Sequence, residues 1–297
     1  MDTYGKGVAK KWEPRARPPF KSGLFNHVTT GAPITILFEN KNIRSADYEK
    51  QRSVPRPGHA DFVAHKKFGG FEDYRGSGHF SGRLTVALVA AGVIAKKILN
   101  LNSDEGGIDV NAEILEIGGE QDLDKGLQKA IDAKDSIGGI IECRATGIPI
   151  GLGEPFFDSA ESLISHIVFA IPAVRGVEFG TGFAAARMFG SQHNDAIVDA
   201  EGKTRTNHAG GVVGGITNGN ELVFRIAIKP TSSTPKEQQT LNWENGEVET
   251  FSVKGRHDLC IALRVPVILE AVTAIVLADL MMLENYVPRV ISPTSRG

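Results

Sequence analysis

The chain has 297 residues, enough for one large domain or two small ones and for a sizeable core. Hydrophobic residues make up 41% and charged residues 23%, which excludes a disordered acidic tail and a membrane protein. A formal net charge of −2 gives no global electrostatic case for nucleic-acid binding, which draws on a basic excess to displace counterions.

In chain order, residues 1–21 form a basic, proline-rich lead without the apolar core of a secretory signal, and they read as divergent and poorly ordered. Residues 33–38 (PITILF) predict a buried strand. Residues 41–82 are polar, glycine-rich and crowded with Arg, His and Lys, and so long an irregular stretch marks a functional loop. A wide apolar face predicts a helix over 83–101, with Ser81 as its N-cap. A polar turn over 103–108, a strand over 110–117, a helix over 121–135 and a strand over 138–148 follow. The spacing predicts a helix over 158–170 opened by an Asp158–Glu161 capping box. Residues 174–179 are β-like, and 221–229 alternate as a half-buried strand. A second long apolar helix covers 266–283, with Pro266 near its first position; Glu270 and Asp279 interrupt the run and speak against a membrane span.

No linker or fixed-period repeat divides residues 22–297, which read as a single domain. Strands and helices mix without regular βαβ alternation, which favours α+β over a doubly wound sheet. The two cysteines, Cys143 and Cys260, exclude a disulfide framework and a Cys-rich zinc site, so a soluble protein of a reducing compartment is expected, with no metal.

No P-loop, HExxH or GxSxG motif occurs. Gly76, Gly78 and Gly82 imitate a dinucleotide fingerprint, but the last glycine is one position late and no strand precedes them. Four segments combine glycine or proline with charged and hydroxyl residues in ways a core does not need. They are Arg56-Pro-Gly-His59-Ala-Asp61, the loop from Arg75 through His79 and Ser81 to Arg83, the run from Asn207-His208 through Gly214-Gly215, and Gly255-Arg256-His257-Asp258. The third leads on through a strand to Lys229-Pro230-Thr231-Ser232-Ser233. Glycine-rich turns present free N–H groups to an anion, arginine forks match phosphate, and histidines exchange protons near neutral pH. Taken singly, each segment also reads blandly, since loop cations are ordinarily solvated and Gly-Gly pairs ordinarily mark turns. Together they point to a site for a phosphorylated ligand and leave the reaction open.

These segments resemble the chorismate synthase family. Thr29-Thr-Gly-Ala-Pro-Ile-Thr, Arg44-Ser-Ala-Asp-Tyr48, Arg56-Pro-Gly-His-Ala-Asp61, the Gly-Ser-Gly-His-Phe-Ser-Gly-Arg loop, Asn207-His-Ala-Gly-Gly, Lys229-Pro-Thr-Ser-Ser233 and Gly255-Arg-His-Asp258 occur in the family's order, from about Ser22 to about Leu283. The resemblance implies an α+β fold with a helical layer between two antiparallel sheets, assembled as a homotetramer in the cytoplasm. It implies a lyase of aromatic amino-acid biosynthesis that converts 5-enolpyruvylshikimate 3-phosphate to chorismate and phosphate by an anti 1,4-elimination. The implied cofactor is reduced FMN, with NADPH as reductant in members that carry their own reductase activity. The implied partner is a small phosphorylated substrate, with no nucleic acid and no membrane.

By position, the resemblance makes His59 a proton donor beside the flavin and Asp258 a proton relay. It assigns His79, Phe80, Ser81, Pro172, Ala173, Gly214, Lys229, Pro230, Thr231, Ser232, Ser233 and Arg256 to the cofactor, and Arg83 to the substrate. There are departures. His79-Phe80 replaces a commoner Arg-Ser, and Leu259 stands where a proline usually follows the last motif. No Ser-His-Gly motif occurs, and residues 1–20 do not match the family's opening strand and paired arginines. The chain therefore reads as an N-terminally shortened member. The alternative reading is a truncated, catalytically weak or inactive FMN-binding or assembly relative.

Overall fold

The structure, a computed structural model, describes residues 20–39, 53–101, 106–253, 258–288 and 290. The chain divides into two units, Met1–Ile43 and Arg44–Gly297. In the first, β1 (Phe20–Ser22), β2 (Leu24–Phe25), β3 (Val28–Thr29) and β4 (Thr35–Ile36) form two antiparallel ribbons, β1–β4 and β2–β3. Asn26 and His27, both at positive φ (47° and 65°), turn the β2–β3 hairpin in the way a two-residue connection requires. The strand expected over 33–38 shrinks to Thr35–Ile36 and is not buried: Leu37 and Phe38 are 47% and 37% exposed. Within its unit this strand pairs on one side only, with β1, so its apolar residues gain no second layer.

The second unit runs α1 (Asp61–Lys67), α2 (Thr85–Leu99), β5 (Asp109–Ile117), α3 (Leu123–Ala133), β6 (Gly139–Thr146), α4 (Ala160–Val168) and β7 (Val174–Phe179). A single-turn α5 (Gly190–His193), β8 (Val212–Val213), β9 (Ile216–Thr217), β10 (Leu222–Ile228), β11 (Gln238–Asn242), β12 (Glu247–Phe251) and α6 (Pro266–Leu283) complete it. Local chemistry sets the helix starts. Ser81 does act as a cap, but for a 3-10 turn over Gly82–Leu84 that precedes α2. The cap of α4 is Ser159, whose Oγ accepts from the Ser162 N–H at 3.1 Å, and not the expected Asp158. Asp122 caps α3 by accepting from the Lys125 N–H at 3.2 Å, and Pro266 sits in the first turn of α6.

Strands β5, β6, β10 and β7 form one antiparallel sheet in that order. The fold is thus mixed α+β with antiparallel sheets, as expected. Among the described residues the other strands form two-stranded ribbons. Alternation along β10 sends Leu222, Phe224, Ile226 and Ile228 into the core, while Arg225 and Ala227 face outward. Helix α6 lies against β5 and β6 and also contacts α2 and α4. It is apolar and long enough to cross a membrane by composition alone, but Leu269, Val272, Ala274 and Leu277 are fully buried at the centre of the core. Glu270, the interruption in its apolar run, is a staple: it takes the Lys96 ammonium at 2.6 Å and the Ala112 N–H at 3.2 Å, tying α6 to α2 and β5. On the outer face of the sheet Glu142, only 4% exposed, takes Arg144 at 2.7 Å and Arg225 at 2.8 Å. Both cysteines are buried and unpaired, and burial pushes the Cys143 thiol up to about 12.

Helices α2 and α6 cross at Gly92, where an added Cβ would lie 2.3 Å from Ala271 Cβ. Gly92→Leu is expected to force the helices apart and lower stability by about 1–3 kcal/mol. Chemical denaturation checks this, and an unchanged midpoint would show that the contact is not tight.

Candidate active site

The site begins in the loop ahead of α1. Arg56 is 7% exposed and grips Asp61, the first residue of α1, in a two-pronged pair: Nε to Oδ2 and Nη2 to Oδ1, each at 2.8 Å. Burial alone would raise the Asp61 pKa, but hydrogen bonds from Arg56 and His59 outweigh it and hold the carboxyl well below the usual range. His59 Nδ1 lies 2.6 Å from Asp61 Oδ1.

Strand β10 delivers the second part. It ends at Ile228, and the Lys229 N–H donates to the Ala173 carbonyl at 3.0 Å, so Pro172-Ala173 and Lys229-Pro230 lie side by side. Ala173 takes a left-handed φ of 74°, a conformation that a non-glycine residue holds at some cost. Lys229 Nζ donates to the Gly58 carbonyl at 2.7 Å and to Ser232 Oγ at 3.0 Å, and Ser232 Oγ donates to the same carbonyl at 2.8 Å. Arg56 Nη1 reaches Ser233 Oγ at 3.3 Å. The first segment therefore meets the Lys229–Ser233 run that follows the third. Burial and the Arg175 charge both lower the Lys229 pKa.

A turn between α3 and β6 brings in Asp258, the described residue of the fourth segment. Ser136 Oγ donates to the Thr231 carbonyl at 2.8 Å, Thr234 Oγ1 donates to Asp135 at 2.7 Å, and the Ile137 N–H donates to the Leu259 carbonyl at 3.0 Å. Asp258 stands next to that carbonyl, where it pairs with Arg264 at 2.6 Å, the two side chains 40% and 49% exposed. Arg256 lies outside the described residues.

The second segment closes over Arg56, whose Nη2 donates to Ser77 Oγ at 3.0 Å. The His79 ring meets Phe68 edge-on at 6.5 Å, and Ser81 Oγ accepts from the Arg83 N–H at 3.3 Å. A cavity of about 350 Å³ opens here, lined by Asp61, Phe68, Ser77, His79, Phe80 and Trp243 among others.

Gly214 is not brought to this cluster within the chain. It turns the β8–β9 hairpin at φ 65°, in a segment that joins the start of β10 through the Val223 N–H and the Gly210 carbonyl. Lys229 follows the other end of that seven-residue strand, roughly 20 Å away at ~3.3 Å per residue. Asn207 and His208 stay at the far end as well. Asn207 joins the Glu221 carbonyl to the Gly211 N–H, and His208 Nδ1 pairs with Thr181 Oγ1 at 3.0 Å.

The sequence sets Arg56 and Asp61 in one motif without showing that they clamp each other and His59. An arginine and an aspartate at the two ends of one motif, flanking a histidine, were the available signal. Ser136, Asp135 and Trp243 carried none. Chemically, the Lys229 ammonium with the hydroxyls of Thr231, Ser232 and Ser233 is a donor set that fits a phosphate monoester, and the half-buried Arg56–Asp61–His59 group beside it fits proton transfer.

The chorismate synthase family model matches residues 4–282, beginning upstream of Ser22, where the motif resemblance begins. A chorismate synthase of Chitinophaga pinensis is 69% identical over 288 residues, covering 96% of this chain and 85% of the relative. One of Dehalococcoides mccartyi is 43% identical over 299 residues, covering 91% and 81%. A crystal structure of chorismate synthase superposes with a TM-score of 0.65 at 26% identity, covering 90% of this chain and 78% of the other.

Proposed function

We propose that this chain, which belongs to the chorismate synthase family, is a lyase that makes chorismate and phosphate from 5-enolpyruvylshikimate 3-phosphate by anti 1,4-elimination. The observation that carries the reading is the meeting of two phosphate- and proton-handling segments through one side chain, Lys229 on the Gly58 carbonyl. Reduced FMN, held by Lys229 and the Thr231–Ser233 hydroxyls, would supply electron density for the loss of the substrate phosphate.

The chain's own residues divide the work. Lys229, Pro230, Thr231, Ser232 and Ser233 hold the flavin phosphate and ribityl chain, with Pro172, Ala173, His79, Phe80, Ser81 and Arg256 completing the cofactor's surroundings. Arg83 takes the substrate. His59 donates a proton on the cofactor side. Asp258 relays one, and its exposed pair with Arg264 is a weak tie that a relay can leave. Gly214 serves a cofactor bound by another copy, which its distance from Lys229 supports, and a homotetramer provides that copy. Residues 22–297 then act as one domain of the family's two-sheet sandwich, in the cytoplasm.

The test is phosphate release from the shikimate phosphate with chemically reduced FMN, beside a flavin titration. Phosphate release is the expected result. Lys229→Met is expected to weaken FMN binding by about 10–100-fold, the worth of a hydrogen bond to a charged group. Flavin binding without any elimination would overturn the lyase reading in favour of a binding or assembly role.

A further inference from the structure

The shortest contact of the His59 ring is Nδ1 to Asp61 Oδ1 at 2.6 Å, with side-chain exposures of 18% and 16%. Asp61 is held in turn. Besides the two guanidinium bonds, the Arg56 backbone N–H donates to Oδ2 at 3.1 Å. All these bonds are donors aimed at the carboxylate. An ionised carboxylate only accepts, so the hydrogen in the short bond to His59 sits on Nδ1. Arg56 Nη2 also lies 3.0 Å and 3.2 Å from the two ring nitrogens. Its two hydrogens serve four acceptor positions, and the ionised Oδ1 is the nearest and strongest of them, at 2.8 Å.

We propose that Asp61 is a positioning residue for the elimination: it fixes His59 in the Nδ1–H tautomer, which leaves Nε2 as the ring nitrogen where a proton is exchanged. Arg56 locks the carboxylate in the orientation this needs. The proposal rests on the reading of His59 as a proton donor and adds the residue that makes such a donor work.

Asp61→Asn isolates the effect, because it preserves size and removes one acceptor. Two Arg56 donors, Nε and the backbone N–H, point at the Oδ2 position and one, Nη2, at Oδ1, so the amide carbonyl goes to Oδ2. The amide NH₂ then occupies the Oδ1 position and donates to His59 Nδ1, which forces the ring proton onto Nε2. The nitrogen that must gain and lose a proton is now fixed as N–H.

The test combines an assignment of the ring with a cycle of variants. In protein labelled with ¹⁵N-histidine, the His59 signals are identified by their loss in His59→Gln. The neutral wild-type ring is expected to carry its proton on Nδ1, and Asp61→Asn to move it to Nε2. Phosphate release with chemically reduced FMN is expected to slow about 10²–10⁴-fold in Asp61→Asn, with FMN affinity little changed. In the His59→Gln background the same substitution costs nothing further, because no ring remains to be oriented. An Nε2–H ring in the wild-type protein overturns the proposal even if Asp61→Asn does not fold. Equal losses in the two backgrounds overturn it as well, since Asp61 then acts without His59. Should His59→Gln alone leave turnover at the wild-type rate, the proton-donor reading fails and takes the catalytic half of the proposal with it. The ring assignment separates that failure from a failure of the dyad geometry.

Discussion

An Arg56→Ala protein is expected to lose about 3–5 kcal/mol of unfolding free energy at neutral pH. The substitution deletes both prongs of the grip on Asp61 and the contacts to Ser77 and Ser233. A largely buried carboxylate is left with His59 as its remaining side-chain partner. The loss depends on pH, and its sign follows from linkage. In the wild type the Asp61 pKa is depressed, so the carboxylate contributes stability above its unfolded value of about 4, and that contribution fades as pH falls below it. The variant lacks the Arg56 share of that contribution at every pH. Denaturation at pH 7 and again near pH 3 is therefore expected to show a wide gap between the two proteins that narrows in acid. A gap that is the same at both pH values would mean that the Arg56 side chain acts through packing alone.

Phe224→Ala is expected to cost a similar 3–5 kcal/mol through a different mechanism. Phe224 is fully buried on the central strand β10, opposite Cys143 on one neighbour and Phe179 on the other. It stacks on Phe179 with ring centroids 5.4 Å apart. Truncation removes the ring and leaves a cavity that three paired strands cannot close over. Phe224→Leu keeps most of the volume and is expected to cost clearly less. Thermal or denaturant melts of the two variants check the order, and equal losses would place the cost in the backbone and not in packing. Lys229 follows β10 directly, so the alanine variant is also expected to bind FMN more weakly.

Helices α2 and α6 and strands β5, β6, β7 and β10 are legible from apolar periodicity, because each buries a continuous face in one core. The ends are less so. Asp158 and Ser159 are both good capping residues, and only the backbone geometry at Ser159, φ −62° and ψ 148°, selects between them. The strand over 33–38 is overread, since apolar composition does not say whether a second layer exists to cover it. The β11–β12 hairpin goes unread although Asn245-Gly246 marks its turn, because its strands are mostly polar and lack a buried face. In the site, the residue types were legible and their pairing was not. Arg56, His59 and Asp61 stand within six residues, yet only α1 starting at Asp61 brings the carboxylate back onto both. The contact between Lys229 and Gly58 spans 171 positions, and no local pattern encodes it.

The charged row on the outside of the sheet bears on how β10 finds its partners. Apolar alternation repeats every two residues, so sliding β10 by two against β6 would leave Phe224 and Ile226 facing inward, and the core would not register the error. The outer row would. In the observed alignment Arg225 stands opposite Glu142, whereas a displacement of two sets it against Arg144 or Ile140. Such a displaced strand would carry Lys229 about 7 Å from its place, beyond the reach of the Gly58 carbonyl. Glu142 and Arg225, on the outer face of the sheet, thereby proofread the alignment on which the site depends.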